Sequence, residues 1–202
     1  TFTIRRLSGF DFARMAPDLV DLYITAMKYP RTLREQRIGV WRRETSHPGF
    51  TAVAAFTETG VLAGVAYGFN GTPDRWWDQQ LRLGLQQQSI PDHIRRELTS
   101  HYFELAEIHV APDLQGQGVG HALIHELLVD IGRKYVLLST PEVPAEANAA
   151  FGLYRSLGFK DVLRNFLYAG DSRPFAVLGR TLPLGSQLSL IHISEPTRLR
   201  RI

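Results

Sequence analysis

The order of hydrophobic and polar residues along the chain predicts a succession of helices and strands. Residues 12–27 carry apolar side chains at helical spacing, which predicts an amphipathic helix, and the arginine-rich residues 31–43 favour a second one. Residues 50–57 and 61–70 are β-rich, and the connection Glu58-Thr59-Gly60 between them, with glycine last, is typical of a hairpin. The first half of the chain therefore predicts helices beside a hairpin.

The second half of the chain alternates strand and helix patterns more regularly. Apolar residues at four-residue steps predict a helix over residues 118–131. A proline at its start and a glycine past its end bracket another predicted helix, residues 144–157. Strand patterns occupy four further stretches, residues 101–110, 135–139, 160–168 and 175–182. This order predicts an α/β fold in which helices flank a mixed sheet.

Composition excludes several classes of protein. With 202 residues, 44% of them hydrophobic and 21% charged, the chain is expected to form a globular domain and not a disordered or fibrous structure. No apolar run approaches the roughly 20 residues that span a bilayer, so a membrane is not expected as a partner. The absence of cysteine excludes disulfides, thiolate nucleophiles and iron–sulfur clusters. Because no basic-then-apolar segment follows Thr1, we expect a cytoplasmic protein.

The C-terminal residues change the interpretation of the charge. The net charge of +3 comes from 23 basic and 20 acidic residues. Residues 188–202 hold three arginines and one glutamate, so they contribute +2 and leave about +1 for the rest, which disfavours nucleic acid as a partner. Because residues 188–198 resemble the translation of a transposase-based sequencing adapter, we expect residues 187–202 to be a non-native tail. The alternative is a genuine C-terminal arm.

The segment with the clearest chemistry is the glycine-rich turn of residues 115–120, which joins a predicted strand to a predicted helix. Its three glycines let the backbone approach a ligand closely, and the helix directs amide groups and its positive dipole end at the same point. This pattern predicts an anion site, typically for phosphate. The missing Gly-Lys-Ser/Thr excludes a P-loop, and the glycine spacing excludes the dinucleotide fingerprint. A purely structural turn stays open.

Two segments resemble motifs of the GNAT superfamily of N-acetyltransferases. Gln115-x-x-Gly118-x-Gly120, after a strand that ends in Val110-x-Pro112, resembles its motif A. Residues 150–159, Ala-Phe-Gly-Leu-Tyr-Arg-Ser-Leu-Gly-Phe, resemble its second motif. The resemblance covers residues 1–182, is nearest to a branch from high-GC bacteria, and implies a single N-acetyltransferase domain over residues 1–186. The implied fold is a mixed, mostly antiparallel sheet flanked by helices, with two splayed parallel strands that hold coenzyme A.

The resemblance also implies where acetyl-CoA, the co-substrate, would bind. In the family it lies between two splayed parallel strands, here residues 101–110 and 135–139, with its pyrophosphate on the glycine turn. Asn148 is a further candidate contact, although it lies one residue after the family position, which Ala147 occupies. The other implied contacts are Ile108, His109 and Val110 for the pantetheine arm, Gln115, Gly116, Gln117, Gly118, Val119, Gly120 and His121 for the phosphates, and Tyr154.

The implied reaction is direct attack of an amine on the thioester, which is assisted by a base and an acid. Tyr154 matches the family's usual acid, and its alternative role is that of a core aromatic side chain. Glu104 and Glu107 are the candidate bases. Three residues apart on a strand, they are expected to face opposite sides of the sheet, and the phase of Glu104 matches the family better. Deprotonation through water, or attack by an already neutral amine, stays open.

Three features qualify this interpretation. Gln117 and His121 stand where the family often has a basic residue, which predicts only moderate affinity for the coenzyme. His121 and His125 lie four residues apart on the predicted helix, but no third ligand is evident and no metal site is expected. Trp76 and Trp77 suggest either a wall or lid of the acceptor pocket or a plug over the core.

The acceptor is expected to be a primary amine of a small molecule or peptide, and the protein a monomer or a homodimer. The competing hypothesis is a non-catalytic acyl-CoA binding or sensing module on the same fold, since the base is ambiguous and the turn lacks a fixed cation. Detection of turnover would distinguish the two.

Overall fold

The computed structural model describes residues 1–185, which form seven strands and six α-helices. The strands are β1 Phe2–Leu7, β2 Thr51–Thr57, β3 Leu62–Asn70, β4 Tyr102–Val110, β5 Tyr135–Pro141, β6 Lys160–Leu167 and β7 Pro174–Thr181. The helices are α1 Gly9–Met27, α2 Arg34–Glu44, α3 Trp76–Gln87, α4 Asp92–Ser100, α5 Val119–Leu128 and α6 Ala149–Ser156.

The strands form a sheet in the order β1-β2-β3-β4-β5-β7-β6. β4 and β5 pair in parallel, residues 102–104 with residues 135–137, whereas β1–β2, β2–β3, β5–β7 and β6–β7 are antiparallel. A mixed, mostly antiparallel sheet with one parallel pair confirms the predicted fold class. Within residues 1–185, no helix combines the length and the hydropathy needed to cross a bilayer. The predicted non-native tail, residues 187–202, lies outside the described residues.

The described chain divides into two compact units. The first contains residues 1–69 and 105–130, and the second contains residues 70–104 together with the described residues from 131 onward. β4 therefore contributes its first three residues to the second unit and its remaining six to the first.

In the first unit, α1 continues through a proline because a neighbouring helix compensates for it. The helix starts at Ser8, whose Oγ accepts from the amide of Asp11 at 3.0 Å. Pro17 has no amide, so the carbonyl of Ala13 lacks its usual donor four residues on. Arg42 of α2 donates its Nε–H to that carbonyl at 2.9 Å. This contact couples the two helices.

The core of the first unit lies where α1 and α2 meet β2 and β3. The rings of Phe12 and Trp41 are buried against Tyr67, with centroids 5.1 to 5.9 Å apart. α5 packs against the same strands, and Gly64 permits its approach, because a Cβ there would lie 2.9 Å from Leu123 Cδ1. The predicted hairpin over residues 50–70 is confirmed, with Gly60 at φ +83° in its turn.

The second unit has its own core beneath α3 and α4. Leu81, Leu85 and Leu98 of these helices are buried with Leu163 of β6. Tyr102 of β4 lies in the same cluster, fully buried. The strands predicted over residues 160–168 and 175–182 correspond to β6 and β7, which pair antiparallel across residues 168–173.

Two predicted helices have different bounds in the structure. The helix expected over residues 118–131 ends at Leu128. The prediction of a helix over residues 144–157 was wrong in its first part, because Ala145 and Glu146 both have a φ of +56°, which no α-helix contains. Pro144 opens a separate 3₁₀ turn, and α6 begins only after Asn148, whose Oδ1 accepts from the Phe151 amide at 2.8 Å. Pro144 therefore does not mark the start of the α-helix in this segment.

Candidate functional site

The glycine turn of the first unit is open on its outer side. Gly116 and Gly118 adopt φ +81° and +84°, a left-handed conformation that favours glycine. A Cβ built on either glycine would meet no atom within 4 Å. The backbone at both positions is therefore accessible to a ligand, as the sequence predicted.

α5 starts directly from this turn and presents unbonded amides there. Gly118 is its N-cap and provides no side-chain acceptor, and the first amide bonded within the helix is that of Ala122, to the Gly118 carbonyl at 3.1 Å. The amides of Val119, Gly120 and His121 thus have no partner within the helix. Gln115 Nε2 donates to the Val110 carbonyl at 3.3 Å and connects the turn to the end of β4. This arrangement suits an anion.

No lysine or arginine lies within residues 112–121, as the sequence already indicated. Gln117 and His121 are exposed, so neither is placed in the core. His125 is exposed as well. In residues 1–185, no group of three His, Asp or Glu side chains is arranged to hold a metal ion. Within this segment, attraction for an anion therefore comes from the backbone and the helix dipole.

On the first-unit part of β4, Glu107 and His109 form a hydrogen-bonded pair. Glu107 Oε2 lies 2.7 Å from His109 Nε2. His109 is 8% exposed. The ring of Tyr23 contacts the imidazole edge-on, with the two centroids 4.9 Å apart, and the ring of Trp41 stacks on it at 6.4 Å. Burial, with the Glu107 charge as a second cause, raises the pKa of Tyr23 to about 12. Glu107 itself remains partly exposed.

The second-unit part of β4 has a different environment, dominated by ion pairs. Glu104 is buried, with Oε1 3.7 Å from Arg75 Nε. Two residues earlier, Tyr102 donates its hydroxyl proton to Asp78 Oδ2 at 2.7 Å, and Asp78 also pairs with Arg82. Burial, followed by the hydrogen bond to Asp78, raises the pKa of Tyr102 well above its ordinary value. Each glutamate therefore has its own distinct partner.

Tyr154 lies on α6 in the second unit and is 7% exposed. Its ring lies 5.9 Å from that of Phe159, so Tyr154 is part of the core of this unit. Its role as the acid of the reaction stays a prediction. Asn148 uses its carboxamide oxygen to cap the same helix. Because the cap uses this oxygen, the NH₂ group of the same side chain is the part that can donate to a coenzyme.

Sequence reasoning missed a polar aromatic cluster in the second unit. Trp77 Nε1 donates to Tyr168 Oη at 2.8 Å, and Ser139 Oγ lies 2.6 Å from the same oxygen. Burial raises the pKa of Tyr168. Trp76, 54% exposed, lies at 5.7 Å from the Tyr168 ring. The two tryptophans begin α3; the hydrogen bond to Tyr168 anchors Trp77, whereas Trp76 presents its ring to solvent. In the sequence, only the tryptophan pair itself indicated this cluster.

The predicted site residues thus fall into two groups. Those of the first unit are Glu107, Ile108, His109, Val110, Gln115, Gly116, Gln117, Gly118, Val119, Gly120 and His121. Those of the second unit are Glu104, Asn148 and Tyr154. The first group joins the open glycine turn to the end of β4 on one continuous stretch of chain.

Comparison with known proteins assigns these features to a family. A family model described as an acetyltransferase (GNAT) domain matches residues 87–161. A GCN5-like protein acetyltransferase of Mycobacterium tuberculosis is 41% identical over 195 residues, covering 86% of this chain and 95% of that protein. The alanine N-acetyltransferase of ribosomal protein bS18 from Escherichia coli is 38% identical over 76 residues, 37% of this chain and 51% of that enzyme.

Solved structures share the fold over nearly the whole chain. The crystal structure of the same Escherichia coli enzyme covers 93% of this chain and 97% of its own, with a TM-score of 0.58 at 20% identity. A Salmonella typhimurium protein, solved with its cofactor acetyl-CoA, covers 94% of this chain and 97% of its own, with a TM-score of 0.57 at 17% identity. At these identities the likeness concerns the fold.

Proposed function

Because this chain belongs to the GNAT family of acetyltransferases, which use acetyl-CoA as co-substrate, we propose that it transfers the acetyl group to a primary amine by direct attack. The observation that carries the proposal is the open glycine turn at the start of α5. Its backbone accessibility and its unbonded amides suit a pyrophosphate.

The donor is proposed to bind along residues 108–121. The amides at the start of α5 hold the pyrophosphate, and the backbone of Ile108, His109 and Val110 lies beside the pantetheine arm. An amide of this segment polarises the thioester carbonyl, since a fixed donor stabilises the charge that develops on that oxygen. The Gln115 contact to the Val110 carbonyl supports this role by connecting the strand end to the turn.

Proton transfer completes the proposed reaction. An ammonium acceptor first gives one proton to a base, which releases it to solvent, and the neutral nitrogen then forms its bond to the acetyl carbon. As the carbon–sulfur bond breaks, the nitrogen gives up a second proton to solvent, which leaves a neutral amide. Tyr154 protonates the departing thiolate, and a solvent proton restores the phenol. A phenol suits this step because its ordinary pKa, near 10, is close to that of a thiol.

Structural features support each of the two glutamates of β4 as the base. Glu104 is buried, which disfavours its charged form and strengthens it as a proton acceptor, whereas the cation of Arg75 acts in the opposite sense. Glu107 is partly exposed, and His109 orients it. We propose Glu104 as the base, as the family phase indicates, and Glu107 as the alternative.

The acceptor is proposed to be a peptide or small-molecule amine. Two relatives carry names that specify protein acceptors, one a protein acetyltransferase and the other acting on an alanine of a ribosomal protein. These names favour a peptide amine as the first acceptor to test. We also propose that the protein acts in the cytoplasm, since the chain has no cysteine that an oxidising compartment would pair.

Calorimetric titration of acetyl-CoA into the full chain tests the donor site, and two glycines provide a matched pair. Gly118 and Gly60 have nearly the same φ, +84° and +83°, with open space around both. Alanine at either costs about 1 kcal/mol of stability through backbone strain. Gly118→Ala is expected to weaken acetyl-CoA binding about tenfold, and Gly60→Ala to leave it unchanged. Saturable binding that is insensitive to Gly118→Ala would contradict the proposed donor site.

Turnover tests the enzymatic part. A screen of amine acceptors with detection of the free thiol of coenzyme A is expected to find at least one substrate, with peptides tested first. Tyr154→Phe should lose about 10² in kcat while still binding acetyl-CoA, as expected for removal of a general acid. Binding without turnover for every amine would instead support a non-catalytic acyl-CoA module.

A further inference from the structure

An open cavity lies between α3 and α4 in the second unit, apart from the residues proposed for acetyl transfer. Its volume is about 180 Å³, and every lining side chain is charged or polar. The apolar faces of the same helices are buried elsewhere, through Leu81, Leu85 and Leu98. The cavity is therefore not a packing defect of the core. The lining residues are Arg82, Gln86, Asp92, Arg95, Arg96 and Thr99.

The spacing of these residues shows that both helices present one polar face to the cavity. Arg82 and Gln86 are four residues apart on α3, and the α4 residues follow at steps of three and four. Three guanidinium groups face a single lining carboxylate, Asp92, which already pairs with Arg95. The cavity therefore offers more hydrogen-bond donors than its own acceptors can use.

The three arginines differ in how they are held. Arg82 is held in place by an ion pair with the fully buried Asp78, which also accepts a hydrogen bond from the Tyr102 hydroxyl. Arg95 has a buried Nε–H that no acceptor within residues 1–185 satisfies. Arg96 is exposed, and no hydrogen bond or ion pair engages it in the described part of the chain. One guanidinium is thus preorganised and two have donors to spare.

We propose that this cavity binds a small oxyanion, a phosphate or carboxylate group. Guanidinium groups match the geometry of such anions, and an anion that reached the Arg95 Nε–H would satisfy a donor that is otherwise unpaired within residues 1–185. The volume lies below the roughly 300–1,000 Å³ of pockets for drug-sized ligands, so the cavity suits one anionic group. Anchoring of Arg82 lowers the entropic cost of binding.

Titration of inorganic phosphate into the ¹⁵N-labelled full chain, followed by amide NMR, tests this site. Amide signals of α3 and α4 are expected to shift saturably, whereas those of Val119, Gly120 and His121 report the glycine turn separately. A parallel titration with acetate distinguishes carboxylate from phosphate. This separation makes the outcome independent of the proposed acetyl-CoA site.

Arg96→Gln is the decisive variant, because this side chain is exposed and its replacement spares the fold. It is expected to weaken phosphate binding about tenfold, the effect of one charge-assisted contact. The matched control is Arg43→Gln, an exposed arginine of α2 in the first unit, which should leave the affinity unchanged. Absence of saturable shifts on α3 and α4, or equal weakening by both variants, would overturn the proposal.

Discussion

The two parts of β4 carry one glutamate each, and the surroundings of the two carboxylates differ in kind. Glu107, in the first unit, is hydrogen-bonded to an imidazole that aromatic rings enclose. Glu104, in the second unit, pairs with Arg75 near a further buried ion pair. A guanidinium keeps its charge at every relevant pH, whereas the charge of an imidazole depends on pH. Equivalent residues on one strand can therefore have different chemistry.

Replacing each glutamate by glutamine should give the largest difference between the two parts of the strand. If Glu104 is the base, Glu104→Gln lowers kcat by about 10² or more, the usual contribution of general-base catalysis, while Glu107→Gln has little effect. Steady-state kinetics with the best acceptor from the screen measures both. A reversed order would assign the base to Glu107 and its histidine, and equal small effects would favour deprotonation through water.

Removing the buried carboxylate of Asp78 in the second unit should have the next largest effect, on stability. Asp78→Ala leaves the Tyr102 hydroxyl buried without its acceptor and removes the partner of Arg82, which is expected to lower the free energy of unfolding by about 3 kcal/mol. Urea denaturation measures it. Asp92→Ala is the control, because that side chain is 70% exposed and its pair with Arg95 should contribute less than about 1 kcal/mol. Similar losses in the two variants would refute the distinction.

Removing the cation beside Glu104 should move the pH dependence of catalysis. Arg75 favours the charged carboxylate, so Arg75→Gln is expected to shift the acid limb of the kcat profile to higher pH if Glu104 is the base. His109→Phe is the matched variant for the other part of the strand and should leave that limb in place. A shift with His109→Phe alone would point to Glu107.

The smallest predicted effect concerns the aromatic surroundings of His109. Because the pKa of Tyr23 is raised to about 12 in the folded state, the unfolded chain releases its proton first as pH rises above 10. The stabilisation is complete below pH 10 and is lost as the pH rises from 10 to 12, by about 1 kcal/mol at pH 11. Tyr23→Phe should flatten the fall of the unfolding free energy over this range. An unchanged slope would mean that other tyrosines cause it.

Much of the fold was accessible from local patterns. The hairpin around Gly60 and the open turn at Gly116 and Gly118 follow from a few neighbouring residues with well-defined backbone preferences. The start of the helix over residues 144–157 was mispredicted because contacts with distant residues overrode the local pattern. Local signs placed its start at Pro144, but Asn148 caps the observed helix, and ion pairs of Glu146 with Arg155 and Arg164 hold the preceding segment.

The polar contacts of the second unit were not accessible in this way. Asp78 and Tyr102 are 24 residues apart, and Trp77 meets Tyr168 across 91 residues. Neither pair leaves a periodic signal, because each depends on which elements pack together. The Glu107–His109 pair of the first unit differs from these contacts, since residues two apart on a strand share a face and their meeting was predictable in principle.

The sequence by itself determined the family, the order of elements and the position of the glycine turn, since these depend on neighbouring residues and on backbone conformations that few residue types adopt. Only the tertiary structure decided which charges pair. It placed Arg75 beside Glu104, His109 between Tyr23 and Trp41, and three arginines around one cavity. The physical reason is that the behaviour of a charged group depends on its burial and on the partners within a few ångströms, and packing of distant segments sets both.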